Sequence, residues 1–111
     1  MKYKKLGKSG IKVSEIGFGA WTIALNWWGK DIQEDEAKRM LKKAYDVGIN
    51  FFETADMYGK GKSENLIGEV FSGMRNEVVI STKYSYDFEN VDQIDTRSCR
   101  KGLIQNSQTV H

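Results

Sequence analysis

The sequence has little of several features that mark other classes of protein. Its single cysteine, Cys99, excludes an internal disulfide and suits a reducing intracellular setting. It has no proline, no low-complexity tract and no internal repeat beyond an alternation of strands and helices. No apolar run reaches membrane-spanning length, and the basic amino terminus lacks the apolar segment of a signal peptide. We therefore expect a cytoplasmic protein that does not bind a membrane.

The charge balance also argues against a nucleic-acid partner. A net charge of +2 over 111 residues is too small to require one. Five lysines lie within residues 1–12, and a basic arm is one interpretation of them. A solvated hairpin is favoured, because only Tyr3 adds an aromatic ring to this stretch. The 40% apolar and 29% charged residues are those of a globular domain with a modest core.

The first twenty residues carry two β patterns. Turn residues at 6–10 between β-capable pieces predict a hairpin over residues 3–13. Residues 14–21 then alternate, with Ile16, Phe18 and Ala20 on one face and Gly17 and Gly19 on the other. That pattern predicts a strand, and the glycines suggest that another backbone or a ligand approaches it closely.

A helix follows with a signal at each end. Asp31 is predicted to begin it, with Glu34 completing a capping box. Gly48 is predicted to end it, since a left-handed residue is favoured there. Residues at the i, i+3, i+4, i+7 spacing predict one buried stripe, made of Ala37, Met40, Leu41 and Ala44.

The remaining pattern is strand, helix, strand. Residues 49–53 predict a second strand, Ser63 is predicted to cap a second helix, and Gly73 to close it. Residues 77–83 form a continuous β-branched run, which is typical of a parallel sheet covered on both faces. Short connections between alternating elements predict right-handed βαβ units. The inward side of the second helix consists of Leu66, Ile67, Val70 and Phe71.

Functional side chains stand where the predicted strands end. Three strands end in Trp21, Glu53 and Lys83, and Tyr58 follows the second. If the strands are parallel neighbours, these groups converge on one edge of the sheet. For any one of them, a solvated strand end or a packed loop aromatic is the simpler interpretation. Their joint placement favours a site.

Five segments, from residue 3 to about residue 85, together resemble the aldo-keto reductase family in its channel-β-subunit-like branch. No single segment is specific, but their order and spacing match those of the family. The segments are residues 6–14 (LGKSGIKVS), 17–21 (GFGAW), 48–59 (GINFFETADMYG), 61–64 (GKSE) and 79–83 (VISTK).

The resemblance implies a (β/α)₈ barrel that reduces aldehydes or ketones with NADPH. It assigns the proton donor to Tyr58, the neighbouring cation to Lys83, and a catalytic carboxylate to Glu53. Ala20 and Trp21 match positions at the nicotinamide end of the cleft, where Glu53 also lies. The expected ligand is a small carbonyl compound, and no metal site is predicted.

The implied chemistry is physically reasonable, with one departure from the family. A free phenol has a pKa near ~10, and a cation ~4 Å away at an effective dielectric of ~20 favours the phenolate by roughly 4 kcal/mol before desolvation. The family has aspartate where this chain has Glu53. An extra methylene can displace Lys83 by about 1 Å, which costs ~100-fold in rate.

The second departure is length. Such a barrel needs ~250 residues, and this sequence predicts three of its eight strands. We interpret residues 1–88 as a partial barrel and residues 89–111 as a poorly patterned tail, with His111 in no matching motif. Cofactor affinity is then expected to be weak. The alternative to a reductase is a truncated, inactive fragment that self-associates or is completed by a companion chain.

A third interpretation comes from Gly61-Lys62-Ser63, which follows a strand and opens a helix as a phosphate-binding P-loop does. The motif needs a glycine five residues before Gly61, and that position is Asp56. A carboxylate inside a phosphate cradle repels the ligand. This interpretation is disfavoured.

Overall fold

The computed structural model describes residues 1–24 and 32–83. These residues form an antiparallel hairpin followed by a parallel sheet and two α-helices. The elements are β1 (Tyr3–Lys5), β2 (Lys12–Ser14), β3 (Phe18–Gly19), α1 (Glu34–Asp46), β4 (Phe51–Glu53), α2 (Lys62–Val70), a short 3₁₀ helix (Arg75–Glu77) and β5 (Val79–Ser81).

The hairpin confirms the first sequence prediction. β1 and β2 pair antiparallel, with Tyr3 opposite Ser14. Side-chain hydrogen bonds tie the hairpin to the segment just before β4: Tyr3 Oη donates to the Gly48 carbonyl at 2.7 Å, and the Ser14 N–H donates to Asn50 Oδ1 at 2.7 Å. The hairpin therefore lies at the amino end of the sheet.

Helix α1 begins later than the sequence predicts. Its first residue is Glu34, and Gln33 occupies the N-cap position without a side-chain hydrogen bond. Asp31, the predicted first residue, lies outside the described part of the chain. The acidic residues of the first turn stabilise the start of the helix through its dipole instead of a capping box.

The predicted end of α1 is confirmed. Gly48 adopts a left-handed φ of 105°. Its N–H donates to Tyr45 O at 2.9 Å, and the Ile49 N–H donates to Ala44 O at 3.0 Å. These two bonds form a Schellman motif, which satisfies carbonyls that the helix leaves unpaired.

The parallel sheet is also confirmed. Its strand order is β3-β4-β5, and both pairings are parallel. Phe52 is the central residue, opposite Phe18 on one side and Ile80 on the other. The described residues thus have the hairpin, parallel strands and helices expected for the first part of a (β/α)₈ barrel. Residues 84–111, which include the whole of the predicted tail, lie outside them.

The alternation before β3 is confirmed only in part. A Cβ on Gly17 would lie 3.0 Å from Phe51 Cδ1, so a neighbouring strand does approach this glycine closely. Ala20 is fully buried, but Ile16 is 59% exposed and does not share its environment. The strand itself starts at Phe18, and Ile16 therefore precedes the part of the chain that packs against the core.

The core is built on aromatic rings between the sheet and the helices. Phe52 is fully buried, with its ring centroid 4.6 Å from that of Phe71 and 5.9 Å from that of Phe18. Helix α1 contributes three of its four predicted residues, Ala37, Leu41 and Ala44. The prediction for Met40 is wrong, because this side chain lies at the margin of the stripe and is 36% exposed.

The helices of the described segments are short. Helix α1 has 13 residues and α2 has nine, and within residues 1–24 and 32–83 neither helix combines the length and apolar character needed to cross a membrane.

Truncating the central ring tests this core. We expect Phe52→Ala to lower the free energy of unfolding by about 3–5 kcal/mol, because it leaves a cavity beside the rings of Phe18 and Phe71. Urea denaturation followed by circular dichroism measures the change. The exposed Met57→Ala variant is the control, with an expected change within about 0.5 kcal/mol. Equal midpoints for both variants would contradict the assigned core.

Candidate functional site

Backbone hydrogen bonds extend the sheet past its strand ends. The Ala20 N–H donates to Glu53 O at 2.8 Å, and the Thr54 N–H donates to Ser81 O at 2.8 Å. The Asp56 N–H donates to Lys83 O at 3.1 Å. Residues that follow β3, β4 and β5 are therefore held side by side at the carboxyl edge of the sheet.

Three of the predicted site residues meet at this edge, and we call them the Glu53–Tyr58–Lys83 cluster. Lys83 Nζ forms an ion pair and hydrogen bond with Glu53 Oε1 and lies 3.4 Å from Tyr58 Oη. Tyr58 Oη in turn donates to Glu53 Oε1 at 3.3 Å. The three polar groups are thus in mutual contact, and the longer glutamate does not prevent the ion pair.

Lys83 also has a backbone partner. Its Nζ donates to the Thr54 carbonyl at 3.0 Å, so its three N–H groups have three acceptors: Glu53, Thr54 and Tyr58. The ammonium lies 5.2 Å from the centroid of the Tyr58 ring as well. These contacts fix the position of the ammonium beside the phenol oxygen.

The cluster is open to solvent. The Lys83 side chain is 50% exposed and that of Glu53 35% exposed. Water therefore screens their charges, and the ion pair contributes little to stability. The same exposure leaves the edge accessible to a ligand.

Ala20 and Trp21 follow β3 at the same edge. Ala20 is fully buried, and both of its backbone groups are bonded: its N–H to Glu53 O and its carbonyl to Ser63 Oγ. Trp21 is half-buried. The assignment of these two residues to cofactor binding stays a prediction.

The prediction that Ser63 caps α2 is wrong. Gly61 occupies the N-cap position, with a left-handed φ of 91° and no side-chain cap. Ser63 is fully buried instead, with its Oγ 2.7 Å from Thr54 Oγ1 and 3.1 Å from the Ala20 carbonyl oxygen. Because its hydroxyl bonds to residues outside the helix, it is not available to the first turn. Sequence reasoning missed the role of Thr54 altogether.

The carboxyl group of Glu64, at the start of α2, contacts Thr82, the residue before Lys83. It accepts a hydrogen bond from Thr82 Oγ1 through Oε1, while its Oε2 is buried and has no hydrogen-bond partner among the described residues. Burial raises the pKa of Glu64, the negative charge of Asp56 raises it further, and the Thr82 hydrogen bond partly opposes both.

The P-loop interpretation finds no support in this geometry. The Ser63 hydroxyl is directed at Thr54 and Ala20, away from any phosphate that α2 could hold. Asp56 is fully buried at the position where the motif needs glycine. Within residues 1–24 and 32–83, no group of three or more histidine, cysteine or acidic residues could hold a metal ion.

A comparison with protein families decides the lineage. The sequence pattern of the aldo/keto reductase family matches residues 15–110. The chain belongs to the aldo/keto reductase family. The match includes most of the poorly patterned tail, residues 89–111.

Relatives of this aldo/keto reductase chain include plant proteins. It is 38% identical over 86 residues to a probable voltage-gated potassium channel subunit beta from Oryza sativa subsp. japonica. It is 42% identical over 86 residues to a protein of the same description from Arabidopsis thaliana. Each match covers 75% of this chain and 25% of the relative, so the chain spans about a quarter of their length.

Solved structures share the same partial barrel. An aldo-keto reductase from Bacillus halodurans (holo form) aligns with a TM-score of 0.71 and 32% identity, over 84% of this chain and 29% of that one. An aldo-keto reductase from Klebsiella pneumoniae in complex with NADPH aligns with a TM-score of 0.57 and 26% identity, over 86% and 32% of the two chains.

Gly59 and Gly61, which follow Tyr58, are a matched pair of positions at which the packing of this segment can be tested. A Cβ on Gly59 would lie 2.6 Å from the Ala24 carbonyl oxygen, whereas one on Gly61 would meet nothing within 4 Å. Both have positive φ, so both Ala variants are strained, by about 1 kcal/mol. We expect Gly59→Ala to lose about 1–3 kcal/mol more, as overpacking does. Chemical denaturation measures both, and equal losses would refute the close approach to Ala24.

The raised pKa of Glu64 predicts a pH dependence. The Glu64 carboxyl group keeps its proton to a higher pH in the folded chain than in the unfolded chain. The protonated group therefore contributes stability at low pH, and this contribution is lost as pH rises through the pKa of the folded chain. We expect Glu64→Gln to gain stability relative to the parent chain as pH rises from acidic to neutral. Urea midpoints across this range measure it, with the exposed Glu36→Gln as control. A difference that shrinks with rising pH would contradict the assignment.

Proposed function

We propose that this chain carries the proton-donating part of an NADPH-dependent carbonyl reductase site, with an aldehyde or ketone as substrate. The observation that carries the proposal is the contact of Tyr58 Oη with both Lys83 Nζ, at 3.4 Å, and Glu53 Oε1, at 3.3 Å. Membership of the aldo/keto reductase family supports it.

The residues available at the edge of the sheet suit such a cofactor. Glu53 and the half-buried Trp21 follow neighbouring strands, and the exposure of the cluster leaves room for a ring beside them. When bound, NADPH supplies the hydride that the carbonyl carbon receives. The overall reaction converts NADPH, a proton and the carbonyl compound to NADP⁺ and an alcohol.

Tyr58 donates its hydroxyl proton to the carbonyl oxygen as negative charge develops there. Its hydrogen bond to Glu53 is 3.3 Å long, at the weak end of the range, so a substrate oxygen can replace the carboxylate as acceptor. Proton transfer leaves negative charge on the phenol oxygen. The Lys83 ammonium stabilises that charge, by up to about 4 kcal/mol at an effective dielectric of 20 before solvent screening.

Glu53 acts on Lys83 in this mechanism. Its carboxylate and the Thr54 carbonyl hold the ammonium on the side of the phenol oxygen. The ion pair also reduces the net positive charge at the site. Placement of the ammonium within a few tenths of an ångström matters, because small displacements at a catalytic contact have large effects on rate.

A second candidate function follows from the extent of the matches. The chain spans about 25% of its plant relatives, and the parallel sheet of its described residues has three of the eight strands that a barrel needs. A fragment of this kind has open sheet edges, which favour association with itself or with a chain that carries the remaining strands. Its role would then be exerted only in that assembly.

Substitution of the proton donor tests the reductase. We expect Tyr58→Phe to lower aldehyde-dependent oxidation of NADPH at least ~100-fold, the usual contribution of a general acid. Tyr45→Phe is the matched control, since Tyr45 lies in α1 and is not part of the cluster. The loss of NADPH absorbance with a reactive aromatic aldehyde measures turnover. Equal turnover by Tyr58→Phe and the parent chain would remove Tyr58 from the mechanism.

The same assay separates the two candidate functions. Turnover by the purified 111-residue chain alone would overturn the inactive-fragment alternative. Turnover that appears only after addition of a polypeptide carrying the remaining strands of a family member would support that alternative. In both cases Tyr58→Phe is compared with the parent chain in the sample that shows turnover.

A further inference from the structure

Two fully buried hydroxyl groups close the segment that carries Tyr58. Thr54 precedes the segment and Ser63 follows it, and their hydroxyl oxygens lie 2.7 Å apart. This distance is the optimum for an O–H···O hydrogen bond. We call the two residues the Thr54–Ser63 clasp.

Each hydroxyl group in the clasp has one proton, and this determines which residue is the donor. Ser63 Oγ donates to the Ala20 carbonyl at 3.1 Å, and a serine hydroxyl has a single proton to donate. Thr54 must therefore donate to Ser63 Oγ. The hydrogen bonds run in one direction, from the end of β4 through the start of α2 to the end of β3.

Thr54 also connects the clasp to the cluster. Its carbonyl accepts from Lys83 Nζ at 3.0 Å, and its N–H donates to Ser81 O at 2.8 Å. A single residue is thus bonded to the strand that carries Lys83 and, through its hydroxyl, to the helix that follows Tyr58. Both partners of the Tyr58–Lys83 contact are positioned relative to Thr54.

Two backbone hydrogen bonds around Tyr58, in the loop between the two hydroxyls, are long. The Tyr58 N–H donates to Ala55 O at 3.3 Å, and the Ser63 N–H donates to Tyr58 O at 3.2 Å, both long for backbone hydrogen bonds. Lys60 adopts a φ of 55°, a left-handed conformation that a lysine keeps only when its surroundings enforce it. The clasp, at 2.7 Å, is shorter than either of these backbone hydrogen bonds.

We propose that Thr54 and Ser63 are positioning residues, whose paired hydroxyls hold the Tyr58 loop closed and set the distance between Tyr58 Oη and Lys83 Nζ. The effect on turnover rests on the proposed reductase function. The effect on the loop does not rest on that function, because it concerns only the hydrogen bond between the two residues that flank residues 55–62.

Hydrogen exchange tests the loop directly. The probes are the amides of Asp56 and Ser63, which bond to Lys83 O and Tyr58 O, and the reference is the Leu41 amide in α1. We expect Thr54→Val, which keeps the side-chain volume and removes the hydroxyl, to speed exchange at both probes about 10-fold more than at the reference. Thr54→Ser, which keeps the hydroxyl, should restore the slow exchange.

Equal acceleration at the probes and at Leu41 would overturn the clasp, because it would mean a uniform loss of stability. So would a Thr54→Ser variant that behaves like Thr54→Val. Ser63→Ala provides a second test if Thr54→Val fails to fold. It removes the other hydroxyl and should produce the same selective acceleration.

Turnover adds a kinetic test in the sample that reduces aldehyde. We expect Thr54→Val to lower kcat about 10-fold with the aldehyde KM unchanged, because the clasp orients the proton donor and does not touch substrate. An unchanged kcat together with faster loop exchange would overturn the positioning role. If the reductase proposal is wrong, Tyr58→Phe leaves turnover unchanged. The hydrogen-exchange result does not depend on that outcome.

Discussion

Parallel pairing of β4 with its two neighbours determines which side chains meet at the edge of the sheet. Gly19 lies opposite Glu53, and Glu53 lies opposite Ser81. Since side chains alternate between faces, a shift of one residue would turn Glu53 to the other face, away from Lys83. The buried ring of Phe52 opposes such a shift, because it would then leave the core.

The arrangement also explains how short strands position a site. β4 has three residues, yet hydrogen bonds from Thr54 and Asp56 extend its pairing as far as Lys83. Glu53 ends β4 and Lys83 lies two residues beyond β5, and both are within this hydrogen-bonded register. Tyr58 lies in the segment that leaves the register after Asp56, and the hydroxyl pair restrains that segment before α2 begins.

Much of this fold could be predicted from the sequence because its signals are local. A glycine-containing turn between β-capable pieces gave the hairpin, and Gly48 marked the end of α1. The β-branched run around Val79 indicated a buried parallel strand. Once three parallel strands are in place, the convergence of Glu53, Tyr58 and Lys83 follows from their positions after the strand ends.

The errors arose where a residue had two suitable partners. Ser63 stands where a capping serine is common, and its hydroxyl instead pairs with Thr54, nine residues earlier. No local pattern distinguishes these outcomes, because the second requires β4 and α2 to be packed together. Met40 fits the apolar spacing of α1, but its exposure depends on what packs beside the margin of the stripe.

The three hydrogen bonds of Lys83 have a further chemical consequence. Primary amines condense with aldehydes to form imines, and this attack requires a nitrogen lone pair. An ammonium that donates to Glu53, to the Thr54 carbonyl and to Tyr58 has none to offer. Attack by Lys83 on a carbonyl carbon would therefore require it to give up at least one of these three hydrogen bonds.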